Sequence, residues 1–325
     1  MKKILAADIG GTNSRFACFQ WADDQSLSLV ESKWFKTREV SSFSRLLDQL
    51  QSSTFPLPVE EADIAVFAIA GPVEQGQFSH PPYIPWEVDL SGADQKFGLK
   101  QWELINDFVA QAYACRSPII EAALQIIPGE VDPTMPLAVI GAGTALGQAA
   151  LVPDCQDGYE AVPSEGGHAP FPFVSGEEFE YMNFLLREGR DPYVLSNTVV
   201  SGKGLSLIHQ YLTGEKLEPA EVAPRLIGDS ETLTWMARFY GRACRVYALQ
   251  VVARGGVYIA GGVAARTPQL ITHPSFKAEF THSKTMGSLL KKIPVFLDVN
   301  EESGLWGAAL RGVQRLKAQV RNGPR

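Results

Sequence analysis

Three acids on this chain stand where a carboxylate can do chemistry: Asp8 just ahead of Gly10 and Gly11, Asp107 directly after Asn106, and Glu165 ahead of Gly166, Gly167 and His168. Asp8 closes an apolar run, Ile4–Ala7, so it reads as the end of a strand. A carboxylate there can hold a hydrated Mg²⁺, which prefers one or two carboxylates plus phosphate oxygens. The glycines that follow let backbone N–H groups surround an anion, because no Cβ blocks the approach. The same Asp-x-Gly-Gly string also makes an ordinary hairpin turn. Asp107 follows the strand-like Trp102–Ile105 and opens a helix, a position suited to a general base and equally to a plain N-cap. Helix-end dipoles favour its charged form, whereas an efficient base would need a higher pKa. Glu165 and His168 flank a Gly-Gly turn, which suits the adjacent hydroxyls of a polyol; a solvated loop with a surface histidine is the alternative. His80, His209, His273 and His282 are scattered, so no metal-ligand spacing forms around His168.

The elements that must position these groups repeat. Leu137–Val152 restates the amino-terminal plan: an apolar strand, the turn Gly141-Ala142-Gly143-Thr144, then a second strand. Two such hairpins suggest two related halves facing each other across a cleft. A third glycine-rich turn, Gly261-Gly262, ends the short apolar strand Val257–Ala260 and suits the flat face of a purine, or else a tight strand-to-helix connection. Strands are expected over 14–21, 27–36 and 62–70, and a helix over 41–52 from Phe43, Leu46, Leu47 and Leu50. Residues 79–85 are proline-rich loop. Beyond Asn106 helices dominate, at 107–116, 175–188, 204–212, 230–253 and 306–319, with Ile140 and Ile259 marking further strands. Small residues between Ser303 and Ala309 imply close packing of the last helix. Lys203, in Ser201-Gly202-Lys203-Gly204, lacks P-loop spacing and is expected to open a helix.

At 325 residues with 45% hydrophobic and 20% charged content, the chain can bury two ordinary globular cores. A net charge of −7 argues against broad nucleic-acid binding, and no apolar run reaches membrane-spanning length. The start, Met1-Lys2-Lys3 and four apolar residues, is expected to carry neither a signal peptide nor a DNA-binding helix-turn-helix. Cys18, Cys115, Cys155 and Cys244 form no C-x-x-C and read as buried free thiols of a cytoplasmic protein, with no structural zinc.

The ordered strings Asp8–Arg15, Ile105–Phe108, Gly141–Thr144, Glu165–His168, Ser201–Gly204 and Ile259–Gly262 resemble the motifs of bacterial glucokinases, over nearly the whole span from Lys3 to about Arg315. The resemblance implies an α/β protein of the sugar kinase/actin/heat-shock ATPase fold, two ribonuclease-H-like, actin-like ATPase domains around a central cleft. The expected division is 1–105, with the helix at 306–319 packing back on it, and 106–305. It further implies transfer of the ATP γ-phosphoryl group to the 6-hydroxyl of a hexose, glucose first. Asp107 is the implied base, accepting the 6-hydroxyl proton, and Asn106, Asp107, Glu165, His168 and Asn197 the sugar ligands. The nucleotide falls to Ala7, Asp8, Ile9, Gly10, Gly11, Thr12, Asn13, Arg15, Gly143, Thr144, Gly261 and Gly262, with Mg²⁺ on Asp8. A cytoplasmic homodimer is also implied. Two departures lie on the sugar side. Asn197 stands where the family has a glutamate, Asp191 being too far upstream to serve, and Pro82-Tyr83-Ile84-Pro85 replaces an expected Thr-Asn pair before Trp86. An asparagine offers no anion, so charge-assisted bonds of roughly twice the neutral strength are lost. Another hexose, an N-acetylhexosamine, or a non-catalytic ATP- or sugar-binding role are the alternatives.

Overall fold

The computed structural model describes residues 1–154, 158–189, 192–228 and 230–322; Cys155 and Asp191 lie outside them. The chain divides into two compact units, Met1–Glu121 with Asn300–Arg325, and Ala122–Val299. The first break thus falls after the helix Asp107–Ala114 rather than at residue 105. The reason is visible at Gly307 of the C-terminal helix Ser303–Asn322: a Cβ there would sit 1.7 Å from the Ala110 carbonyl oxygen, so the two helices are locked backbone to backbone.

The first unit is built on a five-stranded sheet, β3-β2-β1-β4-β7, from β1 (Lys2–Ile9), β2 (Asn13–Trp21), β3 (Leu27–Lys36), β4 (Ile64–Ile69) and β7 (Trp102–Asn106). β1, β2 and β3 pair antiparallel, whereas β4 and β7 extend the sheet in parallel from β1. A two-stranded ribbon, β5 (Phe78–Ser79) and β6 (Val88–Asp89), flanks the proline-rich loop. Every residue of β4 is buried, as expected for a strand covered on both faces. One face carries Leu5, Ala7, Ile9 and Phe67 and packs on the helix Phe43–Gln51, with Phe43 edge-on to Phe67 at 5.2 Å. The opposite face receives the C-terminal helix, where Trp306 stacks edge-on against Phe19 at 5.0 Å.

The second unit carries a six-stranded sheet, β11-β10-β9-β12-β13-β8. Its strands are β8 (Leu124–Ile127), β9 (Leu137–Ala142), β10 (Leu146–Pro153), β11 (Tyr159–Ser164), β12 (Val257–Ala260) and β13 (Val295–Leu297). β9, β10 and β11 are antiparallel, and β12 and β13 run parallel to β9. The first five strands therefore repeat the order and orientation of the first unit's sheet, with β8 added at one edge. Three strands here, β8, β11 and β13, exceed the expected hairpin over 137–152 and the strand at Ile259. β11 is an exposed edge strand containing Pro163, and β13 is three residues long, so neither leaves a periodic signal. The helix Glu231–Val251 is buried along most of its length. Its Arg242, 1% exposed, donates two hydrogen bonds to the buried Glu178 carboxylate and one to Glu279. Burial pushes Glu279 up, but bonds and charge from Arg242 and Arg245 outweigh it and hold the carboxyl below its usual range.

Candidate active site

The turn between β1 and β2 spans Gly10–Thr12. Its carbonyl groups are all engaged. Gly10 N–H donates to Asn13 C=O (3.0 Å), and Thr37 N–H donates to Thr12 C=O (3.1 Å). The Thr37 hydroxyl donates to Gly10 C=O (2.7 Å) and Arg38 Nε to Gly11 C=O (3.3 Å). By contrast, the Gly11 and Thr12 amides donate to no group among the described residues. A turn with occupied carbonyls and uncommitted N–H groups presents a net positive concavity, the backbone chemistry of an anion site. Asn13 is less available, since its Oδ1 accepts from Lys36 Nζ at 2.8 Å.

Asp8 lies across β1–β2 from Arg15, whose Nη1 donates to Asp8 Oδ2 at 3.2 Å. The guanidinium stacks over Trp34, 4.1 Å from the ring centre, and reaches Glu301 at 3.7 Å. Burial pushes the Asp8 carboxyl up, opposed by Arg15. A Cβ at Gly304 would lie 2.9 Å from Asp8 Oδ2, so the carboxylate rests on the first turn of the C-terminal helix. Among the described residues no group of three or more His, Cys, Asp or Glu could hold a metal ion. One carboxylate beside an anion turn still fits Mg²⁺, which takes most of its ligands from phosphate and water. Ala7 and Ile9 are fully buried in the core, so their side chains cannot meet a nucleotide; alternation along the strand leaves Asp8 alone on the other face.

Asn106, not Asp107, caps the helix. Its Oδ1 accepts from Phe108 N–H (2.8 Å) and Val109 N–H (3.3 Å), while Nδ2 donates to Gly71 C=O (3.0 Å). Asn106 is therefore largely committed, keeping one amide hydrogen for a ligand. Asp107 is the first helical residue, half-buried, and its Oδ1 accepts from Phe108 N–H at 3.0 Å. The loop that replaces the expected Thr-Asn pair packs here: a Cβ at Gly11 would meet the Tyr83 carbonyl oxygen at 3.0 Å, and one at Gly71 would meet Pro81 Cα at 2.9 Å.

In the second unit the turn between β9 and β10 repeats the design. Gly143 N–H donates to Ala145 C=O (2.8 Å), and Gly143 C=O accepts from Gly202 N–H (2.9 Å), which opens the helix Gly202–Thr213. The amides of Thr144 and Ala145 donate to no group among the described residues, and Thr144 is exposed. Lys203 is exposed in the first turn of that helix. Gly261 adopts φ +88° and would place a Cβ 2.8 Å from the Ala142 oxygen, so only glycine fits at this exposed end of β12. Glu165 and His168 frame a single 3-10 turn, with carboxylate and imidazole 3.9 Å apart and both about two-thirds exposed, at 66% and 63%. Asn197 does not present its carbonyl to solvent: Oδ1 accepts from Leu146 N–H at 2.7 Å, which occupies the acceptor expected to serve a sugar.

Four contributors escaped the sequence reading. Thr37 and Arg38 hold the first turn, Gln148 backs Gly166, and the buried Tyr240 hydroxyl accepts from Ala142 N–H at 3.0 Å. Each acts on backbone far away in sequence, so no local pattern marks it.

The glucokinase family model matches residues 5–315. The chain is 32% identical to the glucokinase of Pseudomonas paraeruginosa, covering 99% of this chain and 95% of that one. Among solved structures, a glucokinase from an Antarctic psychrotroph superposes with a TM-score of 0.82 at 28% identity, covering 96% and 98% of the two chains. A Balamuthia mandrillaris glucokinase, solved with glucose, gives 0.78 at 19% identity over 96% and 94%.

Proposed function

The chain belongs to the glucokinase family, and from that premise we propose how its residues move the γ-phosphoryl group of ATP to the 6-hydroxyl of glucose, giving glucose 6-phosphate and ADP. The Gly11 and Thr12 amides bind the terminal phosphates, with Arg15 adding charge, and Gly143 and Thr144 serve the same nucleotide from the second hairpin. Gly261 and Gly262 leave room for the purine. Glu165, His168 and the remaining Asn106 amide hydrogen orient the sugar. Asp107 takes the 6-hydroxyl proton as the O6–phosphorus bond forms and the bond to the β,γ-bridging oxygen of ADP breaks. Asp8 is the residue that would hold Mg²⁺, which when bound neutralises developing phosphate charge. The family resemblance also implies a cytoplasmic homodimer; no helix among the described residues is long and apolar enough to cross a membrane.

The observation that carries this reading is the pair of turns in which two successive amides, Gly11 and Thr12 in one and Thr144 and Ala145 in the other, donate to no group among the described residues. The test is Asp107→Asn in an ADP-release assay across a hexose panel. Turnover should fall about 10²–10⁴-fold with ADP binding intact; near-normal turnover would remove the assigned base. A second reading, another hexose or an N-acetylhexosamine, draws on the occupied Asn197 acceptor, and the same panel decides it.

A further inference from the structure

We propose that Asn197 is a positioning residue that ties the nucleotide hairpin to the turn bearing Glu165 and His168, and that it does not accept a hydroxyl of the sugar. The assignment of Glu165 and His168 to the sugar rests on the function proposed above; the structural link does not.

Three segments of the second unit meet at this side chain. Leu146 opens β10 directly after the uncommitted Thr144 and Ala145 amides, and its N–H donates to Asn197 Oδ1 at 2.7 Å. The same oxygen lies 2.3 Å from where a Cβ at Gly167 would sit, and the Leu146 carbonyl oxygen lies equally close at 2.3 Å. Gly167 is thus clamped between the hairpin and Asn197, and neither can shift without moving the turn. Asn197 belongs to the short helix Ser196–Val199, which is itself fixed to the residue after that turn: Ser196 N–H donates to Ala169 C=O at 2.9 Å. Five residues further on, Gly202 holds the Gly143 carbonyl. An acceptor committed to a main-chain donor is poorly placed to bind ligand, because taking it away leaves that donor unmet. What the side chain retains is a donor, Nδ2. Its consequence is coupling: a nucleotide that draws the Thr144 amides toward its phosphates pulls on Leu146, and through Asn197 on Gly167.

The test compares Asn197→Ala, which deletes the acceptor, with Asn197→Asp, which keeps an acceptor on the same stem. Three quantities are read: hydrogen exchange at the Leu146 amide without ligand, Kd for ADP without hexose, and KM and kcat for glucose. In N197A, Leu146 exchange should rise about tenfold, and both the ADP Kd and the glucose KM should rise about five- to tenfold. N197D should restore all three to within about twofold. A sugar ligand would behave differently: N197A would raise the glucose KM alone, leaving ADP affinity and Leu146 exchange unchanged, and that outcome overturns the proposal. Should N197A not fold, Asn197→Gln, with the same groups on a stem too long for the space beside Gly167, should reproduce the linked losses; selective loss of glucose affinity in N197Q overturns the proposal as well. If the parent protein phosphorylates no hexose, the proposed function fails while Leu146 exchange and ADP affinity still decide the role of Asn197.

Discussion

The two glycine hairpins share a plan and differ in what stands behind the turn. Matching Gly11-Thr12 with Gly143-Thr144 sets Asp8 against Ile140, and Arg15 against Gln148, because Asp8 pairs across the strands with Arg15 and Ile140 with Gln148. In the first unit that cross-strand pair is ionic and half-buried beside the start of the C-terminal helix, whose N-terminal dipole favours an anion. In the second it is neutral: Ile140 is fully buried in the core and Gln148 faces the turn carrying Glu165, through Ser164 at 3.4 Å and a contact that leaves no space for a Cβ at Gly166. One architecture thus supports two tasks. The first hairpin carries charge suited to a metal and phosphates, whereas the second carries shape, holding a neighbouring turn in place.

Exchanging the characters of the two hairpins should break that comparison, most severely where a charge enters the core. Ile140→Asp should lower stability by about 3–5 kcal/mol, the cost of an unpaired buried charge, read as the urea midpoint; a stable variant would show that the second hairpin tolerates a carboxylate. Asp8→Asn should reduce turnover by about 10²–10³ yet raise the melting temperature near pH 7. The sign follows from burial raising the Asp8 pKa in the fold: that raised value favours folding below the unfolded value and loses its advantage as pH rises through the folded one. At neutral pH the ionised group therefore weighs against the fold. The gain from D8N should shrink below about pH 4, and a destabilised D8N at pH 7 would mean that Arg15 outweighs burial. The smallest effect sharpens the contrast within the second unit. Gln148→Leu should raise the glucose KM about threefold to tenfold while leaving ADP affinity unchanged, in contrast to the linked losses expected for N197A.

Much of the scaffold was legible because its signals are local. The strand β3 coincides with the expected 27–36, and the helix Phe43–Gln51 buries the four apolar residues that marked it. Both hairpins were found from glycines between apolar runs. Reading failed where neighbouring residues compete for one role or face opposite ways. Asn106 and Asp107 are both good cap residues, and only the bonds from Phe108 and Val109 show that Asn106 is the cap. Ala7 and Ile9 border Asp8 in sequence but face the core.

What the amino-acid string determined by itself is the chemistry on offer: one acid at a strand end, one at a helix start, and two glycine turns able to expose amides. Those follow from residue type and spacing, which act over a few bonds. Tertiary structure decided which offers are kept. Thr37 and Arg38 consume the carbonyls of the first turn, Gly307 brings the last helix against Ala110, and Leu146 claims the oxygen of Asn197. A hydrogen-bonding group can be spent only once, and where it is spent depends on which residues the fold brings within about 3 Å of it.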